Sequence, residues 1–305
     1  MKAWHYALIV FIGGCCYGVL STFVKLGYSA GFSMAEVTGS QYICGTLLIW
    51  IATLFAKKKK LKGIQAVKMI LSGIPMGLTG VFYYQSLQTL DASLAIIFLF
   101  QFVWIGTLFE WMIDKKRPTG SKMVSIAALL IGSILSAGLV SNGVNSLSWQ
   151  GIVWGMLSAL TFSTFIYISG SVGKDIPPIQ KSALFSTGAL IIVMLLFPPA
   201  FLLDFQVVVG VAPYGFFLGL LGVVLPPLLF SIGMQHVGPS LGTILAASEL
   251  PVAVTMSALF LAEYVSISQW LGVVVILSGI VLGNINLSKR KLNAVDTING
   301  NNFAN

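Results

Sequence analysis

The chain has 305 residues, of which 57% are apolar and only 9% are charged, and its mean hydropathy is +0.93. This balance excludes a water-soluble globular domain, and it also excludes an intrinsically disordered chain, because disorder requires low hydrophobicity. The net charge of +8 is compatible with a nucleic-acid or a membrane-surface partner, so the positions of the basic residues decide between them. The three cysteines lie in apolar runs without the spacing of a disulfide framework or a zinc site, and we predict no metal or cofactor.

Ten apolar segments follow one another along the chain. A helix that crosses a hydrocarbon layer of about 30 Å needs about 20 mostly apolar residues. We therefore predict an all-α polytopic membrane protein with ten transmembrane helices. The predicted spans are residues 4–25, 33–56, 69–87, 92–113, 124–140, 150–170, 182–202, 213–234, 241–262 and 268–287.

The basic residues orient these spans. Lysine and arginine are retained on the cytoplasmic side of a membrane, and 16 of the 17 basic residues fall in alternate loops; Lys25 is the exception. This predicts a multi-pass protein of the cell membrane with both termini cytoplasmic and a disordered tail over residues 289–305. The lysine run at 57–60 is interpreted as a topology anchor, with contact to anionic lipid as the alternative. The run is too short to predict nucleic-acid binding.

The chain contains a weak internal repeat at an offset of 147 residues. This offset pairs Gln88 with Gln235 and Gly132 with Gly279, and it aligns spans three to five with spans eight to ten. Each repeat then holds five spans, residues 1–145 and 146–288. Since five is odd, the second repeat enters the membrane from the opposite face, and such inverted repeats support alternating access to one midplane site.

This layout, with Glu249 and Pro251 in span nine and Gly272 and Gly279 in span ten, resembles the drug/metabolite transporter superfamily and specifically its EamA-type members. The resemblance covers residues 4–287. It implies a secondary transporter that moves small organic solutes, such as amino acids and related metabolites, most often outward.

The first repeat departs from this pattern. Trp104 stands at the position that matches Pro251, and Phe102 stands at the position that matches Glu249. A site that is symmetric in the family pattern is therefore expected to be asymmetric in this chain.

Glu249 is the leading candidate for substrate binding. It lies near the middle of span nine, and a charge at that depth is costly unless it lines a cavity or has a partner. Pro251 removes a helical hydrogen bond two residues later and is expected to break the helix beside the carboxylate, although an inert proline kink is equally compatible with it.

Polar and aromatic side chains at similar depth complete the predicted site. Gln101 and Trp104 are three residues apart and share a helix face, and a face of this kind opposite a carboxylate would suit an organic cation. Aromatic residues in membranes also serve as packing or interface anchors, so both interpretations stand. The further candidates are Tyr17, Tyr83, Tyr84 and Gln85.

Two charged residues are candidate gates. Lys25 is explained by snorkelling to the outer interface, and a pair with Glu36 at the outer mouth is the alternative. Glu110 lies about one turn inside the cytoplasmic end of span four, where a pair with Lys115 or Arg117 would also account for it.

We therefore predict a secondary active transporter of amino-acid or amine-like solutes, acting by efflux through a midplane cavity, with protons as the candidate coupling ion. An importer of the same fold, or a membrane receptor or scaffold without transport, is the alternative. The chain lacks the H-E-x-x-H and G-x-S-x-G motifs, and no enzyme activity is predicted. The sequence makes no prediction of oligomeric state.

Overall fold

A computed structural model describes residues 3–90, 92–115, 117–136, 148–260 and 265–282, and within these ranges every regular element is helical. We number the helices by the apolar segments that they form, so that some labels cover two consecutive pieces. The bounds are Ala3–Ser29 (α1), Met34–Leu54 (α2), Gly63–Leu71 with Ile74–Ser86 (α3), Ala92–Phe100 with Phe102–Asp114 (α4), Gly120–Ser136 (α5), Trp149–Ser171 (α6), Pro178–Leu196 (α7), Phe205–Leu218 with Leu225–Val237 (α8), Pro239–Ala246 with Glu249–Phe260 (α9) and Ile267–Leu282 (α10).

Most of these helices are long and apolar enough to cross a membrane. Eight meet that criterion, whereas the apolar parts of α5 and α10, Gly120–Leu135 and Ile267–Leu282, are shorter. The predicted fifth and tenth spans extended to residues 140 and 287, which lie outside the described residues. The all-helical, multi-pass prediction is confirmed for the part of the chain that the structure describes.

Several predicted boundaries shift for local reasons. α8 begins at Phe205 instead of residue 213, because the Asp204 carboxylate caps the helix by accepting from the backbone N–H groups of Gln206 and Val207. α7 begins at Pro178, where a proline in the first turn needs no hydrogen-bond partner for its nitrogen. Lys181, predicted in the loop after span six, therefore lies inside a helix.

Four helices are interrupted, and the interruptions correspond between the two halves of the chain. α3 breaks at Ser72, and a π-helical stretch, Gly219–Val224, interrupts α8; α4 breaks at Gln101, and α9 breaks at Ala247 and Ser248. The offset of 147 residues found in the sequence places Ser72 on Gly219 and Gln101 on Ser248. The breaks at Gln101 and Ser248 have the same cause. The backbone amide of each residue donates to the carbonyl three residues earlier, which tightens the helix at that point.

Helices of each half also pack against helices of the other half. α1 packs against α8 and α9, and α6 packs correspondingly against α3 and α4. α2 packs against α8 as α7 packs against α3, while α2 and α7 contact each other. Each half therefore completes the core of the other.

The basic loops lie together at one end of the bundle. Lys59 forms an ion pair with Asp175, which ties the α2–α3 loop to the end of α6, and Tyr167 of α6 donates to the carboxylate of Asp114 at the end of α4. The hydroxyl of Ser121 at the start of α5 donates to the carbonyl of residue 282 in α10. We call this the basic end; the described part of α1 also begins there, because Tyr6 stacks on His236 at the end of α8.

Candidate functional site

A cavity lies between the two halves where α9 is broken. The volume of the cavity is about 50 Å³, which is space for a few waters. Seven of the ten helices contribute to its wall. The lining residues are Tyr17, Leu20, Gln41, Tyr42, Met76, Thr79, Gly80, Tyr83, Tyr84, Leu99, Phe162, Phe165, Gly222 and Glu249.

The break in α9 positions Glu249 as the first residue of the second helical piece. Pro251 has no amide hydrogen to donate to the carbonyl of Ala247, and that carbonyl accepts from the amide of Leu250 instead, at 3.3 Å. The helix was expected to break at the proline, but the interruption falls at residues 247 and 248, before the carboxylate.

Close approach of α1 holds this break in place. A side chain at Gly18 would collide with the carbonyl oxygen of Glu249, and one at Gly14 would collide with the hydroxyl of Ser248. That hydroxyl donates to the carbonyl of Phe11 across the interface, at 2.7 Å. Glycine in α1 therefore lets a backbone carbonyl of one half satisfy a polar group at the break of the other.

Glu249 is buried and incompletely hydrogen-bonded. Only 8% of its surface is exposed, and its Oε2 atom has no hydrogen-bond partner among the described residues. Among the described residues that line the cavity there is no lysine or arginine. A buried acceptor without a partner is unusual in a folded protein and marks a place where a ligand or a proton can be held.

Four tyrosines line the same cavity as this carboxylate. The hydroxyl of Tyr84 donates to Oε1 of Gln41 at 2.9 Å, and the hydroxyl of Tyr42 donates to the carbonyl of Met76 at 3.0 Å. Tyr17 stands edge-on to Phe162, with their ring centroids 5.3 Å apart. These contacts fix an aromatic wall whose electron-rich faces and hydroxyls suit a small organic cation.

The structure brings four of the predicted site residues together and leaves three apart. Tyr17, Tyr83, Tyr84 and Glu249 line the cavity. Gln85, Gln101 and Trp104 do not. The indole of Trp104 donates to Oε1 of Gln101 at 2.8 Å, and 37% of its surface is exposed.

Ten of the lining residues were absent from the sequence prediction, and Gln41 and Tyr42 are two of them. Both lie in the first half of α2 and are buried. An amide in an apolar span is costly toward lipid, so Gln41 carried the same signal that drew attention to Gln85 and Gln101.

The two candidate gates lie away from the cavity lining. Glu110 is buried and pairs with Lys122 at 2.9 Å. The sequence had suggested Lys115 or Arg117 as the alternative partner. Lys25 is half-buried in the last two turns of α1. Glu36 forms a capping box with Ser33 at the start of α2, which gives this carboxylate a structural role.

Comparison with known proteins gives a consistent result. The model of a family described as "EamA-like transporter family" matches the chain twice, over residues 4–138 and 149–285. An uncharacterized transporter, YwfM, of Bacillus subtilis is 24% identical over 287 residues, covering 92% of this chain and 94% of that protein. A crystal structure of a protein superimposes on this chain with a TM-score of 0.72 at 15% identity, covering 92% of this chain and 96% of its own. That likeness shows a shared fold.

Proposed function

The chain belongs to the EamA-like transporter family, and from this we propose that it is a secondary active transporter of small amine-like organic solutes that works by alternating access. The family and the named relative indicate a membrane transporter and not an enzyme. The observation that carries the proposal beyond the family is the cavity between the halves, with the buried Oε2 of Glu249 left without a partner.

We propose a topology of ten membrane crossings in two inverted repeats, residues 1–145 and 146–288, with both termini in the cytoplasm of a cell whose plasma membrane holds the protein. The double family match supports the repeats, and so do the paired interruptions at Gln101 and Ser248. The collection of basic loops at one end supports the orientation, since lysine and arginine are retained on the cytoplasmic side.

The size and position of the cavity support alternating access. The cavity has room for only a few waters, which supports a movement of the surrounding helices when an amine with several carbon atoms binds. The wall is shared between the halves, and near-equivalent halves can repack about a common site so that it opens to either side.

The lining points to a cation as the bound group. Glu249 would hold the ammonium group of the solute, and the faces of Tyr17 and Tyr83 would contact its alkyl part. When no solute is bound, a proton on Glu249 would remove the cost of a buried charge. Solute and proton would then compete for one carboxylate, and a proton entering from outside would drive the solute outward.

Transport into proteoliposomes tests this proposal. Purified protein would be screened with radiolabelled amines and amino acids under an imposed pH gradient, beside Glu249→Gln. We expect the neutral variant to lose pH-driven transport of any solute that the parent moves. Glu36→Gln is the matched control, because glutamine also completes a capping box, and it should transport normally. Unchanged pH-driven transport by Glu249→Gln would refute the assigned role.

A further inference from the structure

A lysine is fully enclosed by protein near the basic end. Lys181 lies in the first turns of α7 and exposes none of its surface. Its ammonium group donates to the carbonyl of Ser169, the third residue from the end of α6, at 2.9 Å. It also lies 5.5 Å from the centre of the Phe185 ring.

No carboxylate in the described part of the chain pairs with this charge. Among the described residues the ion pairs are Lys59 with Asp175 and Lys122 with Glu110, and neither involves Lys181. One carbonyl and one ring face replace the water that an exposed ammonium group would bind. An ammonium group buried in this way is unfavourable, and the free energy is recovered whenever water reaches it.

Buried hydroxyl groups continue from Lys181 toward the cavity, and we call them the serine seam: Ser169, Ser182, Ser186 and Ser231. Ser182 donates to Ser231 on α8 at 3.4 Å, and Ser186 donates to the carbonyl of Val223, the neighbour of a cavity-lining glycine. The hydroxyl of Ser169 has no partner among the described residues. If this region were only a packed core, apolar side chains would make it more stable. If water enters the serine seam during part of the transport cycle, polar side chains are needed there.

Contacts between loops close the basic end near Lys181. Gln180, its neighbour in the chain, accepts from the backbone amide of Lys59 at 2.8 Å and donates to the backbone carbonyl of Lys59 at 2.9 Å. The ion pair of Lys59 with Asp175 adds to this connection. These contacts join a loop of the first half to the start of α7 in the second half. Parting of the α2–α3 loop from the start of α7 would therefore open the end where Lys181 is buried.

We propose that Lys181 is a gate residue: its burial is the cost of closing the basic end, so the positive charge at this position favours the state in which that end is open. The proposal rests on the proposed alternating-access function. It differs from a purely structural role, in which Lys181 ties α7 to Ser169. If Lys181 only connects α7 to Ser169, removing it should loosen the closed end. If its buried charge favours opening, removing that charge should keep the basic end closed.

Accessibility of a cysteine in the serine seam separates these two outcomes. The reporter is Ser231→Cys in full-length protein whose three native cysteines have been replaced, reconstituted in nanodiscs and treated with a soluble maleimide. We expect Lys181→Met to slow labelling by about tenfold or more, as a population shift toward the closed state requires. Lys181→Arg keeps the charge and should keep the labelling rate. Lys68→Met removes an exposed charge at the same end and should change nothing.

Unchanged or faster labelling of Lys181→Met would overturn the gate proposal. Lys181→Gln provides a second neutral variant that can still donate to the carbonyl of Ser169, and thermal unfolding shows whether each variant is folded. If neither neutral variant folds, the lysine is a structural tie and the proposal falls. The labelling needs no substrate, so its result stands apart from the transport test of Glu249.

Discussion

At Gly18 the backbone of α1 lies so close to α9 that a methyl group has no room. A Cβ atom there would stand 2.3 Å from the carbonyl oxygen of Glu249 and 2.8 Å from Cβ of Val252, whereas ordinary contact begins at 3.4 Å. The two helices would have to separate by about 1 Å, because protein interiors are close-packed. Gly18→Ala would therefore displace the residue that we assign to solute binding.

The magnitude follows from two opposing effects. Overpacking of this kind costs about 1–3 kcal/mol. Alanine offsets about 1 kcal/mol of this through its higher helix propensity. We expect a net destabilisation of up to about 2 kcal/mol and, because the carboxylate moves, solute binding about tenfold weaker, equivalent to about 1.4 kcal/mol.

Thermal unfolding in detergent and solute binding by the purified protein measure both effects. Gly63→Ala is the matched control, since nothing lies within 4 Å of a Cβ atom built at that residue. It should unfold at or slightly above the temperature of the parent. If Gly18→Ala is as stable as Gly63→Ala and binds solute with the affinity of the parent, then α1 does not hold the break in α9 and the description of the site is wrong.

Two further predictions concern single contacts. The Lys59 ammonium donates to Asp175 and lowers the pKa of its carboxyl group below the ordinary value, so this contact is present above the ordinary pKa and is lost as pH falls through the lowered one. Carbon NMR of labelled aspartate should show the lowered titration midpoint of Asp175, and Lys59→Gln should raise that midpoint to the ordinary value. A midpoint that Lys59→Gln leaves unchanged would contradict the ion pair. Ser248→Ala removes the hydroxyl bond to Phe11 and should cost about 1 kcal/mol of stability, visible as earlier unfolding, whereas Ser248→Thr should keep most of it.

Hydropathy and charge were sufficient to predict the class of fold. The order of the apolar helices and the grouping of the basic loops agree with the structure because both depend on local composition, which the bilayer selects directly. Boundaries were less accurate because caps and prolines set them. The helix that begins at Pro178 includes Lys181, which a loop count had placed outside it.

The candidate site was only partly predictable, because depth in the membrane follows from position along a span but rotation does not. Tyr83 and Trp104 were assigned similar depth; the first lines the cavity, and the second lies outside the lining with a third of its surface exposed. In spans that are apolar on nearly every side, periodicity cannot show which face turns inward. Gln41 was missed for the same reason, although its amide was a usable signal.

The asymmetry between Phe102 and Glu249 has an electrical consequence. The described cavity lining contains one carboxylate, where two equal repeats would have supplied a pair. One acid can release at most one proton for each monovalent amine that it binds, so an exchange of the two moves no net charge. Under the proposed function the membrane potential would then add nothing to the driving force, and an electroneutral antiporter of this kind would respond to the pH gradient and to the gradient of the solute itself.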